Sequence, residues 1–139
     1  MFVVDTNVVS ELMRPRPDRD VVAWVDGRPI NTLFVTVVTE AEIRAGIAML
    51  PEGERRDGLA AAAERAFGAV FSARVLPFGR YAAKSYAVIT ATHRAAGRPI
   101  SVADCQIAAI ARSLGAAVAT RDVNDFDGCD VEVINPWKG

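Results

Sequence analysis

Hydrophobic and polar positions form two alternating patterns along the chain: short β-branched runs, and longer stretches with apolar residues at helical spacing. Runs typical of buried strands cover residues 2–4, 32–39, 74–78, 116–120 and 131–135. Segments typical of helices extend through residue 13 and cover 21–25, 40–50, 54–71, 81–97 and 101–115. Alternating strands and helices predict a parallel sheet with helices on both faces. The predicted fold class is α/β, a three-layer α/β/α single domain over residues 1–139 with a central parallel sheet, whose strand order stays open.

Composition is that of an ordinary globular domain. Of the 139 residues, 51% are hydrophobic and 24% are charged, which allows a substantial core. No apolar run approaches the roughly 20 residues of a membrane helix, and no basic leader precedes an apolar stretch, so we expect neither a membrane span nor a signal peptide. The net charge of −1 does not favour general binding to nucleic acid. Cys105 and Cys129 form no CxxC pair, so we expect free thiols and a cytoplasmic protein.

Acidic residues lie where predicted strands end or predicted helices begin. Asp5 directly follows the first strand, and Asp122 comes just after the strand at 116–120. Glu42 falls in the first turn of the helix after the second strand, and Asp104 in the first turn of the helix at 101–115. The carboxyl ends of parallel strands share one edge of the sheet with the amino ends of the helices that follow. We therefore expect these four carboxylates to converge.

Each of these acids also has a structural explanation as a cap. The segments Thr39–Glu42 and Ser101–Asp104 resemble capping boxes, and Asp5 and Asp122 are suited to cap the turns that they begin. Caps do not explain why acids concentrate at one edge, where carboxylates repel one another unless a cation neutralises them. Oxygen ligands without His or Cys suit Mg²⁺ or Mn²⁺, and such a site is typical of phosphodiester hydrolysis.

Other polar residues near these positions have weaker assignments. Glu40 lies two positions from Glu42 and points roughly 200° away on a helix, so Glu42 is preferred. Asp125 either orients a metal-bound water or closes the turn around it, and both interpretations stay open. His93 stands alone on a helix, where we expect it to be exposed and to have no catalytic role.

Four segments resemble, in order and spacing, the signature segments of PIN-domain proteins: "VVDTNVVSE", "TEAEIRAG", "ISVADCQIAAIARSLG" and "VATRDVNDF". More specifically, they are similar to VapC-type toxins of bacterial type II toxin–antitoxin pairs, including the FitB-like branch, whose tail resembles the final "INPW". The resemblance implies a magnesium-dependent endoribonuclease, with Mn²⁺ as a substitute, that cuts RNA by in-line attack of a metal-bound water. It also implies that translation is inhibited until a cognate VapB-type antitoxin neutralises the toxin.

The resemblance assigns roles residue by residue. The family's metal ligands fall on Asp5, Asp104, Asp122 and, at a second ion or a water, Glu42. Many relatives carry asparagine at the position of Asp122, so the acidic set is complete here. The polar residues that hold carboxylates or waters in the family fall on Thr6, Asn7 and Thr120, with Asp125 as a further candidate.

The resemblance also implies partners. The family forms homodimers, contacts DNA only through the antitoxin, and receives an antitoxin segment in an apolar groove, often with an arginine that reaches the acids. Candidate groove residues are Val21, Trp24, Met49 and Leu50, although burial in the core is the preferred interpretation for most of them. Candidate RNA contacts are Arg14, Arg16, Arg19 and Arg121, although an ordinary solvated loop is the preferred interpretation for the first three.

Other aspartate-based functions fit less well. A haloacid-dehalogenase-like phosphatase needs a second acid where this chain has Asn7 and a site lysine, whereas Lys84 is mid-helix and Lys138 is in the tail. A receiver domain needs a phosphorylatable aspartate, which residues 74–78 do not supply. A non-catalytic PIN-fold subunit of a DNA-bound repressor complex stays open as the alternative, and failure to bind Mg²⁺ or Mn²⁺ would favour it.

Overall fold

The fold is built on a sheet of five short strands, as described by a computed structural model for residues 1–138. The strands are β1 (Phe2–Val4), β2 (Leu33–Thr36), β3 (Val75–Leu76), β4 (Ala117–Ala119) and β5 (Val133–Ile134). All neighbouring pairs are parallel, in the order β3-β2-β1-β4-β5. The order reverses between β1 and β4, and such a point at the carboxyl ends of strands is where parallel sheets bind ligands.

Six helices flank the sheet within residues 1–138. They are α1 (Thr6–Leu12), α2 (Arg19–Asp26), α3 (Val37–Ala48), α4 (Glu54–Arg65), α5 (Arg80–Ala95) and α6 (Val102–Ser113). Short 3₁₀ turns cover Ile30–Thr32, Val123–Phe126 and Pro136–Lys138, and a π turn over Ala66–Val70 continues α4. In this part of the chain, no helix combines the length and apolar character needed to cross a membrane.

The pleat of the central strands sends alternate side chains into two separate cores. Val4 of β1 and Ala119 of β4 belong to the core beneath α1, α2, α3 and α4. Their neighbours Val3 and Val118 belong to the core beneath α5 and α6. Helices on both faces of a parallel sheet confirm the predicted three-layer α/β/α class.

The second strand is shorter than its β-branched sequence predicts, and this changes one predicted cap. The pattern predicts a strand over residues 32–39, but β2 ends at Thr36 and α3 begins at Val37. The strand ends there because the Thr36 hydroxyl accepts a hydrogen bond from the backbone N–H of Thr39 at 3.1 Å. The predicted capping box at Thr39–Glu42 is therefore wrong, and Glu42 lies in the second turn of α3 rather than in the first.

His93 is buried, which contradicts the exposed position predicted for it. Its ring lies beneath the loop after β4, with Nδ1 3.0 Å from the carbonyl oxygen of Ile89 and Nε2 3.1 Å from that of Asp127. A polar ring can be buried here because its N–H has a backbone carbonyl to which it can donate. Cys105 and Cys129 are buried free thiols, as expected.

Candidate functional site

Asp5 lies at the carboxyl end of β1, beside the point where the strand order reverses. Its backbone N–H continues the sheet by donating to the carbonyl of Ala119 at 2.9 Å. The residue is only 4% exposed, and each carboxylate oxygen accepts one hydrogen bond. Oδ1 accepts from the backbone N–H of Thr6 and Oδ2 from the hydroxyl of Thr120, both at 2.8 Å. Asp5 is thus the N-cap of α1 and a member of the site at the same time.

Thr120 is the centre of the hydrogen-bond network around Asp5. It follows β4 directly and is fully buried. Its hydroxyl donates to Asp5 and accepts from the side-chain amide of Asn7 at 3.2 Å and from the backbone N–H of Asp122 at 3.0 Å. One hydroxyl group therefore links the end of β1, the first turn of α1 and the loop that carries Asp122.

Asn7 connects α1 to the loop after β4. Its side-chain nitrogen donates to Oδ2 of Asp122 at 3.1 Å, and its side-chain oxygen accepts from the backbone N–H of Arg121 at 3.3 Å. Asp122 makes no side-chain capping bond to the 3₁₀ turn that it begins. Capping therefore does not account for the position of this carboxylate, whereas the contact with Asn7 does.

Glu42 reaches the site from the second turn of α3. The hydroxyl of Thr6 donates to its Oε1 at 2.8 Å, and the same hydroxyl oxygen lies 2.9 Å from that of Thr39. Because Thr6 has only one hydroxyl hydrogen, Thr39 is the donor in the second contact. The hydrogen bond from Thr39 to Thr6 is not predicted from the sequence. The sequence does contain a signal for it, because Thr36 and Thr39 both precede Glu42 and only one of them can be the N-cap of α3.

Asp104 comes from the first turn of α6, in the other helical layer, where its backbone N–H donates to the hydroxyl of Ser101 at 3.1 Å. Burial raises the pKa of the Asp104 carboxyl, a hydrogen bond with Ser101 lowers it, and the negative charges of Asp125, Glu42 and Asp122 raise it further. These carboxylates therefore share one region. Asp125 also closes its turn, since its backbone N–H donates to the carbonyl of Asp122 at 3.0 Å.

The carboxyl group of Asp5 is harder to ionise than usual. Burial raises its pKa from 3.8 to about 6, and the charges of Asp104 and Glu42 act in the same direction. The hydrogen bonds from Thr120 and from the backbone of Thr6 lower the pKa but do not offset the burial. A bound cation would favour the carboxylate form, because positive charge stabilises it.

The raised pKa of Asp5 predicts that the metal-free protein becomes less stable as the pH rises. The folded protein keeps this proton up to about pH 6, whereas the unfolded chain loses it near 3.8. The resulting stabilisation, at most about 3 kcal/mol, is present below about pH 4 and lost above about pH 6. Urea unfolding in EDTA should therefore show a loss of about 1 kcal/mol between about pH 5 and about pH 8 that is due to Asp5.

The Asp5→Asn variant isolates this effect, because other groups titrate in the same pH range. The difference in unfolding free energy between the wild type and the variant should change with pH in the stated direction. A difference that stays constant between the two pH values would contradict the prediction.

The donor set of the site fits a hydrated hard cation. Within residues 1–138, no three acidic, His or Cys side chains lie close enough together to ligate an ion directly. Mg²⁺ keeps several of its waters and is usually bound through one or two carboxylates, so spaced carboxylates suit it. The donors are all oxygen, which agrees with Mg²⁺ or Mn²⁺.

Glu40 does not extend the site. Its carboxylate accepts a hydrogen bond from Arg44 at 2.8 Å, and Arg44 also contacts Glu64 of α4 at 2.6 Å. Glu40 therefore links α3 to α4, away from Glu42.

The arginines suggested as RNA contacts are spread over the surface. Arg14 pairs with Glu11 at 3.3 Å near the end of α1, and Arg16 and Arg19 are exposed before and at the start of α2. Arg121 is exposed and adjoins the acids, because its backbone N–H takes part in their network. Of this set, only Arg121 belongs to the immediate surroundings of the carboxylates.

An apolar groove leads away from the acids along α1, α3 and α4, and we refer to it as the α1–α4 groove. It begins at Thr6 and Glu42 and continues past Met13, Leu59 and Ala62. Arginines along its length are Arg14, Arg55 and Arg65, and Glu54 also lines it. The groove is a concave apolar surface that reaches the site at Glu42.

The four residues that the sequence suggested for a groove or for the core divide between the two, apart from Met49. Leu50 does line the α1–α4 groove. Val21 and Trp24 are buried instead, because α2 packs its apolar face against the core. Met49 is 80% exposed and ends α3 outside the groove.

Comparison with known proteins gives consistent matches over almost the whole chain. The PIN domain family model matches residues 2–130. The VapC ribonuclease Y4jK of Sinorhizobium fredii is 43% identical over 138 residues, covering 99% of both chains. Toxin FitB of Neisseria gonorrhoeae is 39% identical over 137 residues, also covering 99% of both. The structure of FitAB bound to an IR36 DNA fragment superposes with a TM-score of 0.91 at 39% identity, covering 99% of this chain and 96% of that one.

Proposed function

The chain belongs to the PIN domain family and, within it, to the VapC-type branch, and we propose on that premise that it is a toxin that cuts RNA with a bound divalent cation. The observation that carries the proposal is the convergence of carboxylates from β1, α3, α6 and the loop after β4. Cleavage of RNA in the cytoplasm would inhibit translation until a VapB-type antitoxin binds the toxin.

The proposed ligands of Mg²⁺, or of Mn²⁺ in its place, are Asp5, Asp104 and Asp122, with Glu42 at a second ion or a water. When bound, the ion would supply a Lewis acid for phosphodiester hydrolysis. Each oxygen of Asp5 accepts a single hydrogen bond, so it keeps lone pairs for a cation. Thr120 and Thr6 hold the carboxylates of Asp5 and Glu42 in fixed orientations, which reduces the rearrangement that binding requires.

The α1–α4 groove is our proposed binding surface for the antitoxin. Its apolar floor suits an extended or helical segment, and the arginines along it suit acidic side chains in that segment. Where the groove meets Glu42, a cationic side chain of the antitoxin would pair with the acids and compete with metal. In keeping with the DNA-bound FitAB structure, we also propose a homodimer that reaches DNA only through its antitoxin.

Replacing Ala62 with arginine should block antitoxin binding without affecting RNA cleavage. Ala62 lines the groove beside Met13 and Pro15, so a long charged side chain there occupies the proposed binding surface. We expect the affinity for the protein encoded by the neighbouring reading frame to fall at least about tenfold, as measured by calorimetry. Cleavage of RNA by the free variant should stay at the wild-type rate.

The matched control is Ala61→Arg, which adds the same side chain one position away. Ala61 is exposed on the other side of α4, where it adjoins Arg44 and Ala48 and does not line the groove. It should leave antitoxin binding unchanged. Equal affinities for Ala62→Arg and Ala61→Arg would show that the groove is not the binding surface.

The function is tested by incubating the purified chain with a pool of tRNA and ribosomal RNA. Cleavage with Mg²⁺ or Mn²⁺ that stops in EDTA is expected, and the Asp5→Asn variant should not cut. If the chain binds neither ion and cuts nothing, it is instead a non-catalytic subunit of a DNA-bound repressor complex. Equal cutting by the variant would identify a contaminating nuclease.

A further inference from the structure

Arg121 has an unusual environment for an arginine next to acids. It stands between Thr120 and Asp122, its side chain is exposed, and its backbone N–H is bonded to Asn7 at 3.3 Å. Its guanidinium carbon lies 5.1 Å from the ring centroid of Trp137, near the end of the chain. This contact is a cation–π interaction, in which the aromatic face attracts the positive charge.

The guanidinium of Arg121 is directed to the indole and not to the carboxylates. In the part of the chain described, residues 1–138, it forms no ion pair, although other arginines do. The contact with Trp137 keeps this cation out of the site, where it would compete with a metal ion for Asp122. Residue 121 adjoins the acids through its backbone, and its side chain is exposed, which leaves the N–H donors of the guanidinium available.

Packing and a hydrogen bond fix the position of Trp137, the residue that Arg121 contacts. Its indole is half-buried and packs against the core beneath α1, α2, α3 and α4. Its backbone N–H donates to the side-chain oxygen of Asn135 at 2.9 Å, which fixes the turn after β5. The guanidinium of Arg121 thus contacts the ring of a residue whose side chain is packed against the core and whose backbone is hydrogen-bonded.

We propose that Arg121, supported by Trp137, binds an RNA phosphate adjacent to the one that is cut. This inference rests on the proposed ribonuclease function and adds a substrate subsite to it. Guanidinium groups bind phosphate through paired N–H donors, and a fixed cation beside an acidic site offsets repulsion of the RNA. In this arrangement Arg121 contacts the substrate and Trp137 is a positioning residue.

The test compares binding and cleavage of a short single-stranded RNA by full-length variants. Arg121→Ala should raise KM about tenfold with a smaller change in kcat, because it removes a phosphate contact and leaves the acids intact. The slope of log affinity against log salt concentration should fall by about 0.7, the value for one phosphate contact on a single strand.

Replacement of Trp137 tests the positioning role. Trp137→Ala should also raise KM and lower the salt slope, and adding Arg121→Ala to it should cause no further loss. Trp137→Phe should retain most of the affinity, because a phenyl ring still offers a face to the guanidinium. A Trp137→Ala variant that loses thermal stability but keeps the wild-type salt slope would overturn this role.

Arg28→Ala is the matched control. The guanidinium of Arg28 lies 3.8 Å from the ring of Trp24 and 5.2 Å from that of Phe2, at the opposite end of β1 from Asp5. The substitution removes the same charge from a similar stack away from the acids, so KM and the salt slope should not change.

Binding is also followed by fluorescence anisotropy of labelled RNA in EDTA, which separates the two proposals. A wild-type chain that never cuts RNA would overturn the nuclease, while weaker binding by Arg121→Ala in EDTA would still support the subsite. Equal affinities and equal salt slopes for the wild type and Arg121→Ala would overturn the subsite even if cleavage is normal.

Discussion

Replacing Asp5 with asparagine is expected to lower the rate of metal-dependent RNA cleavage about 1,000-fold or more while the chain stays folded. Asparagine has nearly the shape of aspartate, but it offers a cation no negative charge. Removing one group that stabilises charge in a transition state lowers the catalytic rate about 100- to 1,000-fold. Removing a metal ligand also weakens binding of the ion. The measurement is the initial rate of cleavage in Mg²⁺ for the wild type and the variant.

The same substitution should stabilise the metal-free protein at about pH 8. Because the pKa of Asp5 is raised to about 6, keeping this carboxylate ionised in the folded state costs up to about 3 kcal/mol. A neutral amide avoids that cost and gives up a hydrogen bond worth about 1 kcal/mol. Asparagine caps a helix about as well as aspartate, so this substitution would leave the stability and activity of an ordinary N-cap nearly unchanged. Lower activity with higher stability therefore identifies a functional carboxylate.

The control for Asp5→Asn is Asp127→Asn, the same chemical change in an exposed loop. Asp127 pairs with Arg98 at 3.0 Å on the surface, and such pairs contribute at most about 1 kcal/mol. Its cleavage rate should match that of the wild type. Cleavage by Asp5→Asn at a comparable rate would contradict the proposal that Asp5 is a metal ligand.

The fold class and the convergence of the acids are predictable from local sequence. A β-branched run followed at once by a polar residue marks the carboxyl end of a strand, and Asp5 occupies that place. Asp122 lies three positions after β4 ends at Ala119, and β4 pairs with β1. The carboxyl ends of parallel strands lie at one edge of the sheet in any strand order. The sequence therefore predicts that these acids share an edge, although it does not predict the order of the strands.

Two features are not predictable in this way: the start of α3, where a cap outweighs strand propensity, and the burial of His93, which depends on a contact distant in sequence. The run of Val37, Val38 and Thr39 favours a strand, but a hydroxyl bond at Thr36 begins a helix, so Glu42 lies one turn further along. The burial of His93 depends on a loop that lies 34 positions away in the sequence. Local pattern describes the elements, whereas these differences arise where one element meets another.

Replacing Thr120 with valine is expected to lower both stability and activity, because a single hydroxyl joins three parts of the site. Valine keeps the shape of threonine in this fully buried position but removes one donor and one acceptor. Asp5 loses a donor, and the backbone N–H of Asp122 and the amide of Asn7 lose their shared acceptor. The bond to Asp5 is buried, and an unmade hydrogen bond of a buried group costs about 1–3 kcal/mol. The other two contacts are part-buried and add less, so we expect a total loss of about 2–4 kcal/mol in urea unfolding.

The Mg²⁺ concentration for half-maximal cleavage should rise about 10- to 100-fold in Thr120→Val, which is typical when a group that orients a metal ligand is removed. Thr120→Ser keeps the hydroxyl and is the matched control; it should retain the wild-type Mg²⁺ requirement despite the missing methyl group. Both variants are compared at a temperature where each is folded, because stability alone would otherwise lower the rate. If Thr120→Val and Thr120→Ser then require the same Mg²⁺ concentration, the hydroxyl does not orient Asp5 for a cation, and the network around Thr120 serves only to hold β1, α1 and the loop after β4 together.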